Sequence, residues 1–336
     1  MGSEMETQQK NKDIIICFAS DNNYAPYMGM AIFSILTNSQ TGDNFHFYIL
    51  EDGISEIRKN EIQGLVPLSK KLCGHAINAR FSWLPISTDM FSHIRMREKR
   101  LSATTFARYF VPKLIPDDKV LYLDCDIMVR NSLKLLWNTD ISDSYLAGVP
   151  DLHVIRNGNL TRRFEGRISP GNYVNAGVLL INNKLWKQDG ISEKLIDFTA
   201  ENHQKLIFND QDAINFVCRD RIRHLPFCWN VMGCMYKTDL FADRPDFDEV
   251  IRQRDNAKIR HFHAWKKNWF MPHREEYLSL MEQSPWKSLV PKDDLPEKAL
   301  RQCVLRYFKR HPFAIFKPSF YKKWKMRGTE CMFFDY

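Results

Sequence analysis

Lys119-Val120-Leu121-Tyr122-Leu123-Asp124-Cys125-Asp126 is the stretch that decides the fold. Val120 to Leu123 form a short, unbroken apolar run, which suits a strand buried on both faces and hence a parallel sheet. Two carboxylates then emerge where such a strand ends, at the edge on which open α/β sheets keep their ligand crevice. Alternate residues of an extended chain share a face, so Asp124 and Asp126 can aim at one hard cation. A solvated strand end is the plain alternative, because D-x-D triplets arise often by chance.

The rest of the chain repeats the pattern on both sides. Upstream, Ile14-Ile15-Ile16-Cys17-Phe18-Ala19 reads as a buried strand that stops at the polar loop Ser20-Asp21-Asn22-Asn23. Helical spacing of Met28, Ala31, Ile32 and Ile35 predicts a helix over 24–36. A second strand follows at 45–50 and a second helix at 55–65, opened by Ser55 with Glu56 in its first turn. Downstream, the pattern predicts a helix at 101–110, strands at 145–149, 174–181 and 259–262, and helices at 192–201 and 210–218. This alternation is the signature of a doubly wound α/β sheet. Pro285 to Pro296 is the expected boundary, dividing a disordered 1–12 and an α/β body over 13–284 from a C-terminal region over 285–336.

Composition agrees with a globular α/β chain. The 336 residues are 44% hydrophobic, 13% aromatic and 26% charged, with 14 Gly and 15 Pro, which excludes collagen-like and low-complexity chains. The net charge of +8 is not spread evenly. Residues 297–336 hold ten basic and three acidic side chains, a net of +7, so the other 296 residues net only +1. Eight cysteines are scattered without a C-x-x-C pair, which gives no support to a zinc cluster. Residues 1–13 are polar and show no signal peptide, and no apolar run approaches the roughly 18 residues of a spanning helix. A reducing, cytoplasmic location is the expectation.

A haloacid-dehalogenase-type phosphatase also places D-x-D at a strand end. Its motif wants Thr or Val two residues after the second Asp, where Met128 stands, and belongs near the first strand. Six segments taken in order point elsewhere: Phe18-Ala19-Ser20-Asp21-Asn22-Asn23-Tyr24, Thr105-Phe106-Ala107-Arg108-Tyr109, Leu121 to Asp126, Val174 to Asn182, Asn209-Asp210-Gln211-Asp212-Ala213-Ile214-Asn215, and His261-Phe262-His263-Ala264-Trp265-Lys266-Lys267. Together they span 18–267, and the chain resembles glycosyltransferase family 8, retaining enzymes that include lipopolysaccharide galactosyl- and glucosyltransferases and glycogenin. The resemblance implies a GT-A (Rossmann-like) α/β fold, a mixed, mostly parallel sheet flanked by helices, plus a small helical basic C-terminal region. It implies transfer of a hexose, galactose slightly ahead of glucose, from a UDP-sugar to a lipopolysaccharide core or related glycan, with an alpha linkage.

Residue roles follow from the same resemblance. Asp124, Asp126 and His261 would hold Mn2+, with Mg2+ as the alternative, a mixed carboxylate and imidazole set that manganese accepts. Asp21 and Asn23 would meet the uracil and ribose, Arg108 the diphosphate or sugar, and Ala264 and Lys267 the departing phosphates. Cys125 joins the donor contacts. Asp151, Asn175, Ala176, Asp210 and Gln211 would form the sugar pocket, with Gln211, Asp212 and Asp151 as the catalytic candidates. Gln is a poor nucleophile, so front-face substitution is favoured over the double displacement that a carboxylate would serve. One segment departs from the family's H-x-x-G-x-x-K-P-W: Ala264 replaces Gly and Asn268 replaces Pro, while Trp269 is retained.

The basic end also holds ten aromatic residues, among them Tyr307, Phe308, Trp324 and Phe334. Rings interleaved with Lys and Arg suit an anionic membrane surface, and the family's lipopolysaccharide enzymes carry a similar extension. The expectation is a peripheral protein on the cytoplasmic face of the bacterial inner membrane, where a lipid-linked oligosaccharide acceptor is built. A packed subdomain with a basic outer face is the plainer reading of the tail. The alternative for the whole chain is a basic nucleic-acid-binding protein with a degenerate nucleotide-sugar fold, disfavoured by the near-neutral body and the intact acidic pair.

Overall fold

The computed structural model describes residues 13–86, 103–157, 159–238, 241–262 and 273–289. Ten strands are present among them: β1 Ile14–Asp21, β2 Asn44–Asp52, β3 Asn78–Pro85, β4 Lys119–Leu123, β5 Ile127–Val129, β6 Leu146–Pro150, β7 Val174–Asn182, β8 Ile222–His224, β9 Val231–Met232 and β10 Ile259–His261. Seven make one sheet in the order β3-β2-β1-β4-β7-β6-β8. All its pairings are parallel except those of β7, which runs against both β4 and β6. A small second sheet, β5-β10-β9, lies across the chain that continues from β4.

Alternation along the strands explains the layers. In β1, Ile14, Ile16 and Phe18 belong to one core, while Ile15 and Cys17 belong to the other. In β4, Leu121 and Leu123 face the first core, and Val120 and Tyr122 the second. Helix Ala25–Thr37 covers the first face, where the second sheet also packs. Segment Ala103–Phe110 and helices Ile191–Asn202 and Asp210–Val217 cover the second. Both faces of the sheet are therefore buried, as the apolar runs require.

The reversal of β7 positions the site. β1, β4 and β6 bring their carboxyl ends to one edge, and β7 brings its amino end to the same edge. Asp21, Asp124, Asp151 and Asn175 thus gather from four adjacent strands.

Several elements depart from the sequence expectation. The helix expected at 55–65 is two helices, Glu56–Gln63 and Leu65–Cys73, joined at Gly64. The helix expected at 101–110 is a 3-10 segment over Ala103–Phe110; Thr104, Thr105, Phe106 and Tyr109 are weak α-formers, so packing of buried Phe106, Ala107 and Tyr109 decides the conformation. Packing reaches past Ser284 into the start of the expected boundary stretch. Trp286 is 2% exposed, lies against Gly29 of the first helix, and donates to Glu61 Oε2 at 2.9 Å. The disordered 1–12 and the helical basic C-terminal region fall outside the described residues, apart from 285–289.

Candidate active site

Asp124 is the residue after β4, and strand alternation points it to the second face, where Arg108 enters from Ala103–Phe110. Its Oδ1 accepts from Arg108 Nη2 at 3.0 Å. Arg108 also donates to the Ala176 carbonyl, pairs through Nε with Asp210 Oδ2 at 2.9 Å, and lies over the Tyr122 ring at 4.6 Å. The guanidinium is buried, which alone would ease its deprotonation, but Asp124 and Asp210 outweigh burial and hold its pKa up. Burial pushes the Asp210 carboxyl up to about 6, against the opposing pull of Arg108.

Asp126 turns back toward the second sheet. Phe262 N donates to the Asp126 carbonyl at 2.7 Å, which brings β10 alongside. His261, the last residue of β10, then sits with Nε2 at 3.1 Å from Asp126 Oδ1 and 3.8 Å from Asp124 Oδ2. One donor atom from each of Asp124, Asp126 and His261 lies within 4.8 Å of the other two. Burial alone would lower the His261 pKa, yet the carboxylates of Asp126 and Asp124 raise it. Two carboxylate oxygens and one imidazole nitrogen form a donor set that fits Mn2+ or a similar divalent cation.

Space for this convergence depends on Gly177. A Cβ there would stand 2.3 Å from His261 Cε1 and 2.8 Å from Asp124 Oδ2. Sequence reasoning passed over Gly177, although a glycine inside an apolar strand is a signal of close approach.

The other predicted residues form a second cluster beside the triad. Asp151 Oδ1 accepts the N–H groups of His153 and Val154 at 3.1 Å each, capping the short helix after β6. Its Oδ2 accepts from Asn175 Nδ2 at 3.2 Å and Gln211 Nε2 at 3.1 Å. Gln211 Oε1 accepts from Asn175 Nδ2 and Ala176 N at 3.1 and 3.0 Å. Asp151, Asn175, Gln211 and His261 face a cavity of about 330 Å3, whose other walls include Val154, Phe208 and Met232. That volume falls in the range of small-molecule clefts, about 300–1,000 Å3.

Asp212 stands apart from this cavity. It is 0% exposed, and its carboxylate is taken by Arg163, by Tyr173 OH at 2.7 Å, and by the N–H groups of Ile207 and Phe208 at 2.7 and 2.9 Å. Asp21 accepts from Tyr24 N at 2.8 Å and so closes the turn before the first helix; Asn23 is exposed in the same loop. Cys125 is buried, its thiol pKa pushed well up by burial, and it donates to the Ala19 carbonyl at 3.3 Å. It therefore ties the ends of β4 and β1 together. Ala264 and Lys267 lie outside the described residues. Sequence reasoning also missed Asn230, fully buried and bonded to both His261 and Asn175. One asparagine before a two-residue strand gives no pattern to read.

A family model described as Glycosyl transferase family 8 matches residues 15–271, more than three quarters of the chain. The chain belongs to glycosyltransferase family 8. General stress protein A of Bacillus subtilis is 26% identical over 295 residues, covering 84% of this chain and 97% of that protein. A putative glycosyltransferase of Haemophilus influenzae is 31% identical over 211 residues, 62% of this chain and 61% of its own length. Among solved structures, the galactosyltransferase LgtC in complex with donor and acceptor sugar analogs superposes with a TM-score of 0.65 and 27% identity, covering 85% of this chain and 98% of that one. The fold of this family 8 member is thus GT-A, and the protein is a glycosyltransferase whose acidic triad has the make-up of a divalent-metal site.

Proposed function

We propose that this protein is a retaining hexosyltransferase that moves galactose, or else glucose, from a UDP-sugar to a lipopolysaccharide core or related glycan, with Mn2+ bound by Asp124, Asp126 and His261. The observation that carries the reading is that His261 belongs both to the Asp124–Asp126–His261 cluster and to the wall of the cavity that Asp151, Asn175 and Gln211 face, in a chain similar to LgtC over most of its length. When bound, the cation would neutralise charge on the leaving diphosphate.

The chain's own residues supply the remaining steps. Arg108 holds Asp124 in place through its buried guanidinium. Asn175, Gln211 and Asp151 present amide and carboxylate groups that suit the hydroxyls of a hexose. In front-face substitution the bond from the anomeric carbon to the diphosphate oxygen breaks, and the acceptor oxygen bonds to the same face. The acceptor proton leaves with the diphosphate, so no enzyme nucleophile is consumed. The Gln211 amide suits this course. Asp212, with its carboxylate enclosed by four donors, serves in this reading as a support rather than a nucleophile.

The domain reading is a catalytic body followed by a basic, aromatic end that associates with the cytoplasmic leaflet of the inner membrane. Its support is the +7 charge of residues 297–336. The intact triad favours transfer over the nucleic-acid-binding alternative.

Hydrolysis of UDP-galactose and UDP-glucose, followed with and without Mn2+, tests the assignment. Activity should need the metal, and Asp124→Ala or Asp126→Ala should abolish it. Full activity in either variant would remove the metal site.

A further inference from the structure

Two peptide N–H groups at the start of β7 fix the polarity of the amides around the site. A peptide N–H can only donate, whereas the two ends of an Asn or Gln amide are told apart by their partners. Gly177 N donates to Asn175 Oδ1 at 2.9 Å. The atom of Asn230 that faces the same oxygen, also at 2.9 Å, must therefore be its Nδ2. Asn230 then turns its Oδ1 to His261 Nδ1 at 3.0 Å, and an amide oxygen can only accept. His261 consequently carries a proton on Nδ1, and Nε2 is the nitrogen turned toward Asp126 and Asp124.

The neighbouring amide obeys the same logic. Ala176 N donates to Gln211 Oε1 at 3.0 Å, which leaves Gln211 Nε2 to donate to Asp151 Oδ2 and to Tyr173 OH at 3.3 Å. Asn175 joins the two arms, because its Nδ2 donates to both Gln211 Oε1 and Asp151 Oδ2. One polarised line of amides thus runs from Gln211 through Asn175 and Asn230 to His261. Asn230 is fully buried and is not among the residues that line the cavity, so it acts through the side chains it holds.

We propose that Asn230 is a positioning residue with two separable duties: it presents His261 Nε2 to the divalent cation, and it ties that histidine to Asn175 and so to the sugar pocket. The proposal rests on the reading of Asp124, Asp126 and His261 as a metal site. A hydrogen bond to the far nitrogen of a ligating histidine fixes its tautomer and ring orientation, and losing it costs about 10–100-fold in metal affinity. The tie to Asn175 means that a shift of the imidazole on metal binding reaches the residues that meet the sugar. Metal occupancy and donor affinity are therefore coupled.

Three measurements on the whole chain test this. Mn2+ titration followed by electron paramagnetic resonance should show binding by the natural protein. It should show about 10–100-fold weaker binding by Asn230→Leu, which keeps the size but removes the acceptor. Asn230→Asp keeps an acceptor for Nδ1–H but sets an oxygen against Asn175 Oδ1. It should hold Mn2+ at or near the natural affinity while KM for UDP-galactose rises and kcat falls. Long-range proton–nitrogen NMR should find a proton on His261 Nδ1, with the signal assigned by its loss in His261→Gln.

Folded Asn230→Leu that binds Mn2+ like the natural protein overturns the proposal alone, as does a His261 Nδ1 found without a proton. A natural protein that binds no Mn2+ removes the metal reading and the proposal with it. If Asn230→Leu does not fold, Asn230→Asp and the NMR measurement decide: an Asp variant unchanged in KM and kcat removes the tie to Asn175.

Discussion

At the scale of single residues, Gly177 and Asp210 carry the sharpest tests. Alanine at 177 would press its Cβ into the His261 ring and Asp124 Oδ2, at 2.3 and 2.8 Å. Neither neighbour is a free end of a flexible chain, since His261 is held by Asn230 and Asp124 by Arg108. Gly177→Ala should therefore lower Mn2+ affinity by about tenfold or more, measured by titration, because it moves two ligands of one cation. The Asp210 carboxyl titrates at about 6, above its ordinary 3.8, because it is buried. It binds its proton more tightly folded than unfolded, so its contribution favours the fold in acid and is lost as pH rises through about 6. Activity should run the other way. Below that pH Asp210 becomes neutral, and among the described residues Arg108 keeps Asp124 as its one counter-charge. We expect kcat/KM to fall on an acid limb near pH 6, and Asp210→Asn to flatten the limb while lowering the plateau by about tenfold. A limb unchanged in Asp210→Asn would assign it to another group.

At the scale of elements, Asp212 shows how a helix start can hold a loop. It lies in the first turn of Asp210–Val217, and its carboxylate accepts the N–H groups of Ile207 and Phe208 while pairing with Arg163. Removing one partner of a buried pair costs about 3–5 kcal/mol. Arg163→Met should sit at the low end, about 3 kcal/mol in denaturant unfolding, because three donors remain on Asp212. A loss under about 0.5 kcal/mol would show that those donors suffice. Elements differed in how far their residues disclosed them. β1, β4 and β7 were legible because strands buried on both faces are written as unbroken apolar runs. β3 went unread: Ala79, Phe81 and Trp83 alternate with Arg80 and Ser82, the pattern of a half-buried edge strand, and form no unbroken apolar run. β5 and β9 span three and two residues, too few for any period, and exist because β10 pairs with them. Of the residues that gather around the cluster and the cavity, Asp124, Asp126, Asp151, Gln211 and His261 were legible in the sequence. The parts left unread, Asn230, Tyr173 and Arg163, act through buried hydrogen bonds that join distant segments.

At the scale of the whole molecule, charge and packing divide the chain differently. The packed body continues through Trp286 against Gly29, whereas the basic surplus begins only at 297. Each basic residue near an anionic membrane surface contributes about 1 kcal/mol. Replacing Lys322, Lys323 and Lys325 together by Glu should weaken co-sedimentation with anionic vesicles on the order of a hundredfold or more. UDP-sugar hydrolysis in solution should stay unchanged. Undiminished sedimentation, or none by the natural protein, would remove the proposed membrane contact of this end. The reversed strand has a different consequence, for the way activity is lost. β7 is paired on both sides, to β4 and to β6, so the strand that carries Ala176 and Gly177 is a central one, although these two residues fall at the shift in its register with β6 and give their N–H groups to side chains. A central strand has no free edge from which to fray, so inactivation and global melting should belong to one cooperative event.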